Sequence, residues 1–154
     1  MDSAVKLIPD YIKNLCDELK IIGNIVKETE TEIDTIYFGG GTPTSISAEY
    51  IEILMKCVKE NFDIDNVREY NFEAGRADTI TEEKLEVIKK YGATRISVNP
   101  QTLNDDVLKV IGRLHTGEDT VNAFRIARKI GFDNINMDLI AGLPTESPES
   151  FKNS

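Results

Sequence analysis

Four short stretches hold residues suited to gripping a ligand, and each stands at or just past the end of an apolar-rich run. The first run, residues 33–38, delivers Gly39, Gly40 and Gly41, followed by Thr42-Pro43-Thr44. Glycines lack Cβ, so their backbone can approach a ligand closely. A phosphate cradle of the Walker type needs Gly-Lys-Ser/Thr at its end, and Pro43-Thr44-Ser45 supplies no lysine. The dinucleotide fingerprint needs its third glycine where Thr44 stands. What is left is a close-approach loop, or else only a tight turn. The second run delivers Glu73, a carboxylate able to hold a ribose diol or an amino group; an ion-paired surface carboxylate is the plain alternative. The third is followed by Gln101. The fourth contains Asp138 between Met137 and Leu139, where an idle buried carboxylate would be costly; its alternative is a cap on a neighbouring loop. Arg113, after Gly112, could clamp a carboxylate bidentately or simply favour a negative helix end.

The elements that must position these residues alternate between strands and helices. Ile8, Ile12, Leu15, Leu19, Ile22 and Val26 step by four and three, the stripe of an amphipathic helix, with Pro9 in its first turn. Strands are expected over residues 33–38, 68–74, 95–99 and 134–140. Helices are expected from the caps Ser47, Thr81, Asn104, Thr116 and Ser147. Gly92, Gly112 and Gly131 stand where the second, third and fourth of these helices should end. Alternating strands and helices imply parallel pairing with right-handed crossovers. Ligands then bind at the carboxyl ends of the strands, where the candidate residues gather.

The strand patterns carry one further message. Ser97, Asn99 and Gln101 share a face opposite Ile96 and Val98; Asn136 and Asp138 oppose Ile135, Met137 and Leu139; Asn71 and Glu73 oppose Tyr70 and Phe72. A doubly wound sheet would be apolar on both faces. A barrel with a polar, ligand-holding lumen fits better. The expected fold is therefore α/β, a partial (β/α) barrel of parallel strands. The chain starts in a helix and stops as another begins. Residues 1–154 are thus expected to form one domain cut from a longer protein, with exposed sheet edges.

Composition narrows the function. The 154 residues are 40% apolar and carry a formal charge of −9, which repels phosphate backbones and anionic lipid. No nucleic acid and no membrane is expected as a partner. No apolar run approaches the roughly 18–20 residues of a membrane span, and the N-terminus lacks the pattern of a secretory signal; with two cysteines and no disulfide framework, a reducing cytoplasm is expected. Cys16 and Cys57 make no disulfide framework and no complete metal set; both read as small buried hydrophobes on their helices. His115, the one histidine, reads as an exposed residue near a helix start rather than a catalyst.

The string Tyr37-Phe38-Gly39-Gly40-Gly41-Thr42-Pro43-Thr44 resembles the second strand and glycine motif of radical S-adenosylmethionine (SAM) enzymes, in the group of oxygen-independent coproporphyrinogen III dehydrogenases. Asn71-Phe72-Glu73-Ala74-Gly75-Arg76, Ser97-Val98-Asn99-Pro100-Gln101-Thr102, Ile111-Gly112-Arg113-Leu114-His115-Thr116 and 136–144 (NMDLIAGLP) follow in that group's order. The SVNPQT string is similar to the Firmicute-type branch; the better-studied branch has Gly-Val where Asn99-Pro100 stands here.

The resemblance implies a six-stranded partial barrel, of which this chain supplies the second to fifth strands. It implies that Gly40, Gly41 and Thr42 contact SAM through backbone groups and that Glu73 binds the ribose hydroxyls. It places Gln101, Arg113 and Asp138 at SAM-holding positions, with Arg113 suited to the methionine carboxylate. It implies a [4Fe–4S] cluster in the parent enzyme, held by a three-cysteine run that this chain lacks, so no metal ligand and no catalytic residue is expected within 1–154. The implied reaction, fed by an electron donor, cleaves SAM to a 5′-deoxyadenosyl radical. That radical takes hydrogen from a coproporphyrinogen III propionate, which loses carbon dioxide to become a vinyl, giving protoporphyrinogen IX in haem biosynthesis. The fragment alone is expected to be inactive. A haem-binding chaperone on the same scaffold, and an unrelated sugar-phosphate barrel enzyme, are the alternatives.

Overall fold

The computed structural model describes residues 5–154. In chain order it runs α1 (Ile8–Glu28), β1 (Thr35–Phe38), α2 (Ala48–Asn61), β2 (Glu69–Glu73), α3 (Glu82–Lys90), β3 (Arg95–Ser97), α4 (Asp105–Val110), α5 (Gly117–Ile130), β4 (Asn134–Asn136) and α6 (Pro148–Asn153). Single turns of 3₁₀ helix follow β1 at Pro43–Ser45 and β2 at Ala77–Thr79. The strands form one sheet in the order β1-β2-β3-β4, and every neighbouring pair is parallel.

Register explains why the sheet has two unlike faces. Phe38 pairs with Phe72, Phe72 with Ile96, and Ile96 with Ile135, so one apolar row crosses all four strands. With Tyr70, that row packs on Ile51 and Met55 of α2, Leu85 and Ile88 of α3, and Ala127 of α5. Phe38 stacks on Phe72 with ring centroids 5.2 Å apart. The alternate positions form the other face: Tyr37, Asn71, Arg95 and Asn134 in one row, then Glu73, Ser97 and Asn136 in the next. The polar face foreseen from the alternation is present.

The helix starts are local events, and they fall where the sequence puts them. Ser47, Thr81, Asn104 and Ser147 each accept a backbone N–H in the first turn of the helix they open. Thr116 and Asp119 exchange bonds as a capping box. Gly131 ends α5 in the left-handed region at φ 97°.

Two expectations need correction. The third and fourth strands are shorter than predicted. The ladder runs on through Val98 N–H, which donates to Asn136 O at 2.8 Å, and then meets Pro100, which has no N–H to donate. It resumes only as an isolated bridge between Gln101 and Leu139. Ile22, placed on the packed stripe of α1, is 44% exposed. The rest of the seam follows the stripe: Ile12 is buried with Cys16 and Gly23, and Ile8, Leu15 and Leu19 pack beside them. Cys16 and Cys57 are buried in the seam between α1 and α2, where burial pushes the Cys57 thiol up to about 11.

Gly23 fixes how closely that seam closes. A Cβ there would stand 2.7 Å from Asn61 O of α2. Alanine normally stabilises a helix interior relative to glycine. Here Gly23→Ala is expected to destabilise by about 1–3 kcal/mol, because α2 must move back. Thermal unfolding checks this, and a raised Tm would contradict it.

Candidate functional site

All four strands point their carboxyl ends toward one rim, and the polar face is richest there. On β1 the rim is the loop Gly39–Thr42. Gly40 has φ +100°, a conformation that favours glycine, and a Cβ at Gly40 or Gly41 would meet nothing within 4 Å among the described residues. Open space therefore faces the loop. Gly39 is different. A Cβ there would collide with the Tyr37 ring and lie 3.2 Å from Glu73 Oε2.

Glu73, half-buried at the end of β2, thus sits against the glycine loop. Its Oε2 accepts the Tyr37 phenol at 3.0 Å, and its Oε1 lies 3.3 Å from where a Cβ on Gly75 would be. Burial, then the hydrogen bond and charge of Glu73, then the charge of Asp138 hold the Tyr37 phenol above its ordinary pKa; Arg95 opposes them. Glu73, Asp138 and Arg95 are therefore each within electrostatic reach of Tyr37. Arg95 donates to Glu69 Oε2 and to Asn136 Oδ1, each at 3.0 Å, and Asn136 Nδ2 passes the chain on to Asp138 Oδ1 at 2.9 Å. Ser97 Oγ donates to Asn71 Oδ1 at 3.2 Å.

Gln101 and Asp138 meet through their backbones. Gln101 N–H donates to Asp138 O at 3.1 Å, and Gln101 O accepts Ile140 N–H at 2.9 Å. Gln101 holds φ +69°, strained for a residue with a side chain. Asp138 is exposed rather than buried, so the argument from the cost of burial does not apply to it. Arg113 follows Gly112 at φ +72°, is half-buried, and forms no salt bridge among the described residues.

Side chains from inside and outside the motifs bind the rim loops together. Lys84 of α3 donates to Thr44 O at 2.7 Å and to Thr79 O at 2.9 Å, and burial lowers its pKa. The hydroxyls of Thr44 and Thr79 bond at 2.6 Å, and Thr79 donates to Arg76 O at 2.8 Å. The glycine loop is thereby tied to the turn after β2. His115 corrects the sequence reading: it is 3% exposed, not a surface residue. Its Nδ1 stands 3.5 Å from Asp78 Oδ1, and Asp78 in turn pairs with Arg76 Nε at 3.3 Å. The Arg113 loop is thus anchored beside the same turn.

A cavity of about 260 Å³ lies behind the glycine loop, between α1 and the apolar side of the sheet, lined by Tyr11, Leu15, Phe38 and Gly39–Pro43 among others. A larger one, about 460 Å³, opens at the far end of the strands around Val26, Asp34 and Asn61, away from the candidate residues. The open space over Gly40 and Gly41 and the carboxylate beside it leave room for a ligand that carries hydroxyl or amino donors, while no contact ties the Arg113 guanidinium to this group among the described residues. An iron–sulfur cluster does not fit. Among the described residues no three His, Cys, Asp or Glu side chains gather to hold a metal, and both cysteines are buried in the α1–α2 seam.

The family model described as the Radical SAM superfamily matches residues 6–154. This chain belongs to the radical SAM superfamily. It is 48% identical over 148 residues to the Bacillus subtilis oxygen-independent coproporphyrinogen-III oxidase-like protein HemZ, covering 96% of this chain and 30% of that protein. It is 37% identical over 151 residues to the heme chaperone HemW of the same organism, covering 96% and 38%. The solved radical SAM coproporphyrinogen III oxidase (HemN) of Escherichia coli superposes with a TM-score of 0.77 at 30% identity, covering 93% of this chain and 33% of that one. The chain spans about a third of the length of these relatives. Its four parallel strands are therefore part of a radical SAM (β/α) barrel, and an unrelated sugar-phosphate barrel is excluded.

Sequence reading passed over Tyr37, Lys84 and Arg95 as site residues. Two of them could have been found. Tyr37 lies two positions before Gly39, and Arg95 two before Ser97, on the polar face that alternation defines. Lys84 had no such signal, because its two acceptors come from loops that only the packed radical SAM barrel brings together. Lys84→Met is expected to cost about 1–3 kcal/mol, since two carbonyls lose a charged donor. Amide exchange should rise over 39–45 more than elsewhere. Unaltered protection of that segment would contradict the assignment.

Proposed function

We propose that this chain is the SAM-binding part of an oxygen-independent coproporphyrinogen III dehydrogenase of haem biosynthesis, with residues 1–154 forming part of its core domain. The observation that carries the reading is the gathering of the glycine loop, Glu73, Gln101 and Asp138 along one rim of a polar sheet face. The likeness to HemZ and to the HemN structure supports the choice of reaction.

In this reading Gly40, Gly41 and Thr42 offer backbone groups to the ligand, since nothing among the described residues stands within 4 Å of where a Cβ on the first two would be. Glu73 accepts from the ribose hydroxyls, Arg113 pairs with the methionine carboxylate, and Gln101 and Asp138 complete the grip. SAM, when bound, supplies the adenosyl group on which the superfamily's radical chemistry depends. The protein's part is to fix its orientation and keep water from the reacting end. The [4Fe–4S] cluster belongs to ligands outside this chain, as does the porphyrinogen substrate for the most part; an electron donor is the further partner.

The likeness to HemW keeps a second reading open, a haem chaperone on the same scaffold. The full-length holoenzyme, assayed for conversion of coproporphyrinogen III to protoporphyrinogen IX, separates the two. Turnover is expected, whereas haem binding without turnover would favour the chaperone. In that holoenzyme Glu73→Gln and Asp138→Asn are each expected to weaken SAM about tenfold while Tm is kept, as loss of a charge-assisted hydrogen bond implies. Equilibrium dialysis with labelled SAM reads the change, and unchanged affinity in both variants would refute the site.

A further inference from the structure

Tyr37 has a conformation that its exposure alone does not explain. At 63% exposed, its ring has little packing to hold it. Register pairs it with Asn71, one row below Glu73. Yet its phenol reaches diagonally along β2 and donates to Glu73 Oε2 at 3.0 Å. A diagonal neighbour on a sheet face is within range only of a long side chain.

That reach depends on a missing atom. Any Cβ on residue 39 would overlap the Tyr37 ring edge and stand 2.7 Å from its Cδ1. Gly39 itself is not in the left-handed region, so its conformation does not require glycine. The first glycine of the triplet is there for space, and the ring uses the space. Gly40, by contrast, is there for its φ.

We propose that Tyr37 is a positioning residue for Glu73: the phenol, seated over Gly39, holds one carboxylate oxygen so that the other faces the ligand's ribose hydroxyls. A carboxylate can accept at about four lone-pair sites, so one donor from the protein leaves room for a diol. Left alone, a terminal carboxylate torsion is broad and loosely held. The tether narrows it before the ligand arrives, which reduces the ordering cost of binding. A phenol is protonated at neutral pH in any case, and burial, then the hydrogen bond and charge of Glu73, raise it further, so it stays a donor.

This inference rests on the reading of Glu73 as the ribose carboxylate. The test measures SAM affinity of the full-length holoenzyme as wild type, Tyr37→Phe, Glu73→Gln and the double variant, with Tm as a folding control. Tyr37→Phe should weaken SAM about three- to tenfold and leave Tm in place. The double variant should be no worse than Glu73→Gln alone. The Tyr37→Phe penalty should vanish for a SAM analogue lacking the ribose hydroxyls, which a merely structural role would not produce. Gly39→Ala should reproduce the loss, because its methyl displaces the ring. Unchanged or tighter binding in Tyr37→Phe, with Glu73→Gln still weakened, overturns the role of Tyr37 alone; tighter binding would mean that the phenol obstructs the ligand. Unchanged binding in Glu73→Gln overturns the ribose reading and this proposal with it.

Discussion

The parallel ladder is the constraint from which the rest follows. Because every strand runs the same way, every strand end faces one rim. Side chains alternate along each strand, and register aligns like with like: Phe38, Phe72, Ile96 and Ile135 on one side, Tyr37, Asn71, Arg95 and Asn134 on the other. One face is thereby committed to helices and the core. The other is free to carry polar groups without exposing them to an apolar interior, where each would need a partner. Shifting any strand by one residue would exchange the two faces, so the fold and the site are specified by the same pattern.

Holding the rim in shape is a separate task, and residues inside and outside the motifs share it. Lys84, Thr44 and Thr79 join the glycine loop to the turn after β2, and Asp78 joins that turn to buried His115 beside Arg113. Loops that bind ligands are drawn from the least stable parts of a protein. Here a few charge-assisted bonds, made to backbone carbonyls and between side chains, limit that looseness. Tyr37 and Glu73 extend the same logic onto the polar face itself, where a gap at Gly39 lets one side chain fix another.

What could be read from the residues alone was what depends on near neighbours. Helix caps at Ser47, Thr81, Asn104, Thr116 and Ser147 are decided within one turn, and all were legible. The two-faced sheet was legible because alternation has a fixed period. Strand ends were less so: the proline after Asn99 was visible, but its effect depends on the partner strand that loses a bond. His115 was misread because burial is a tertiary property: the turn that stands beside it, at Asp78, comes from a segment some forty residues away. Most of the α1 stripe was legible too, since Ile8, Ile12, Leu15 and Leu19 pack in the seam; Ile22 was misplaced because Gly23, the residue after it and one with no side chain, is what closes on α2 there. The diagonal from Tyr37 to Glu73 needed the register, which no single strand carries.

A structure of the full-length protein with SAM bound under anaerobic conditions decides where the cofactor sits. One SAM molecule is expected on the polar rim, with its ribose hydroxyls within about 2.7–3.2 Å of Glu73 and its methionine carboxylate against Arg113. In that structure Gly40, Gln101 and Asp138 should contact the same molecule. SAM bound elsewhere, or these five residues divided between opposite ends of the barrel, would contradict it.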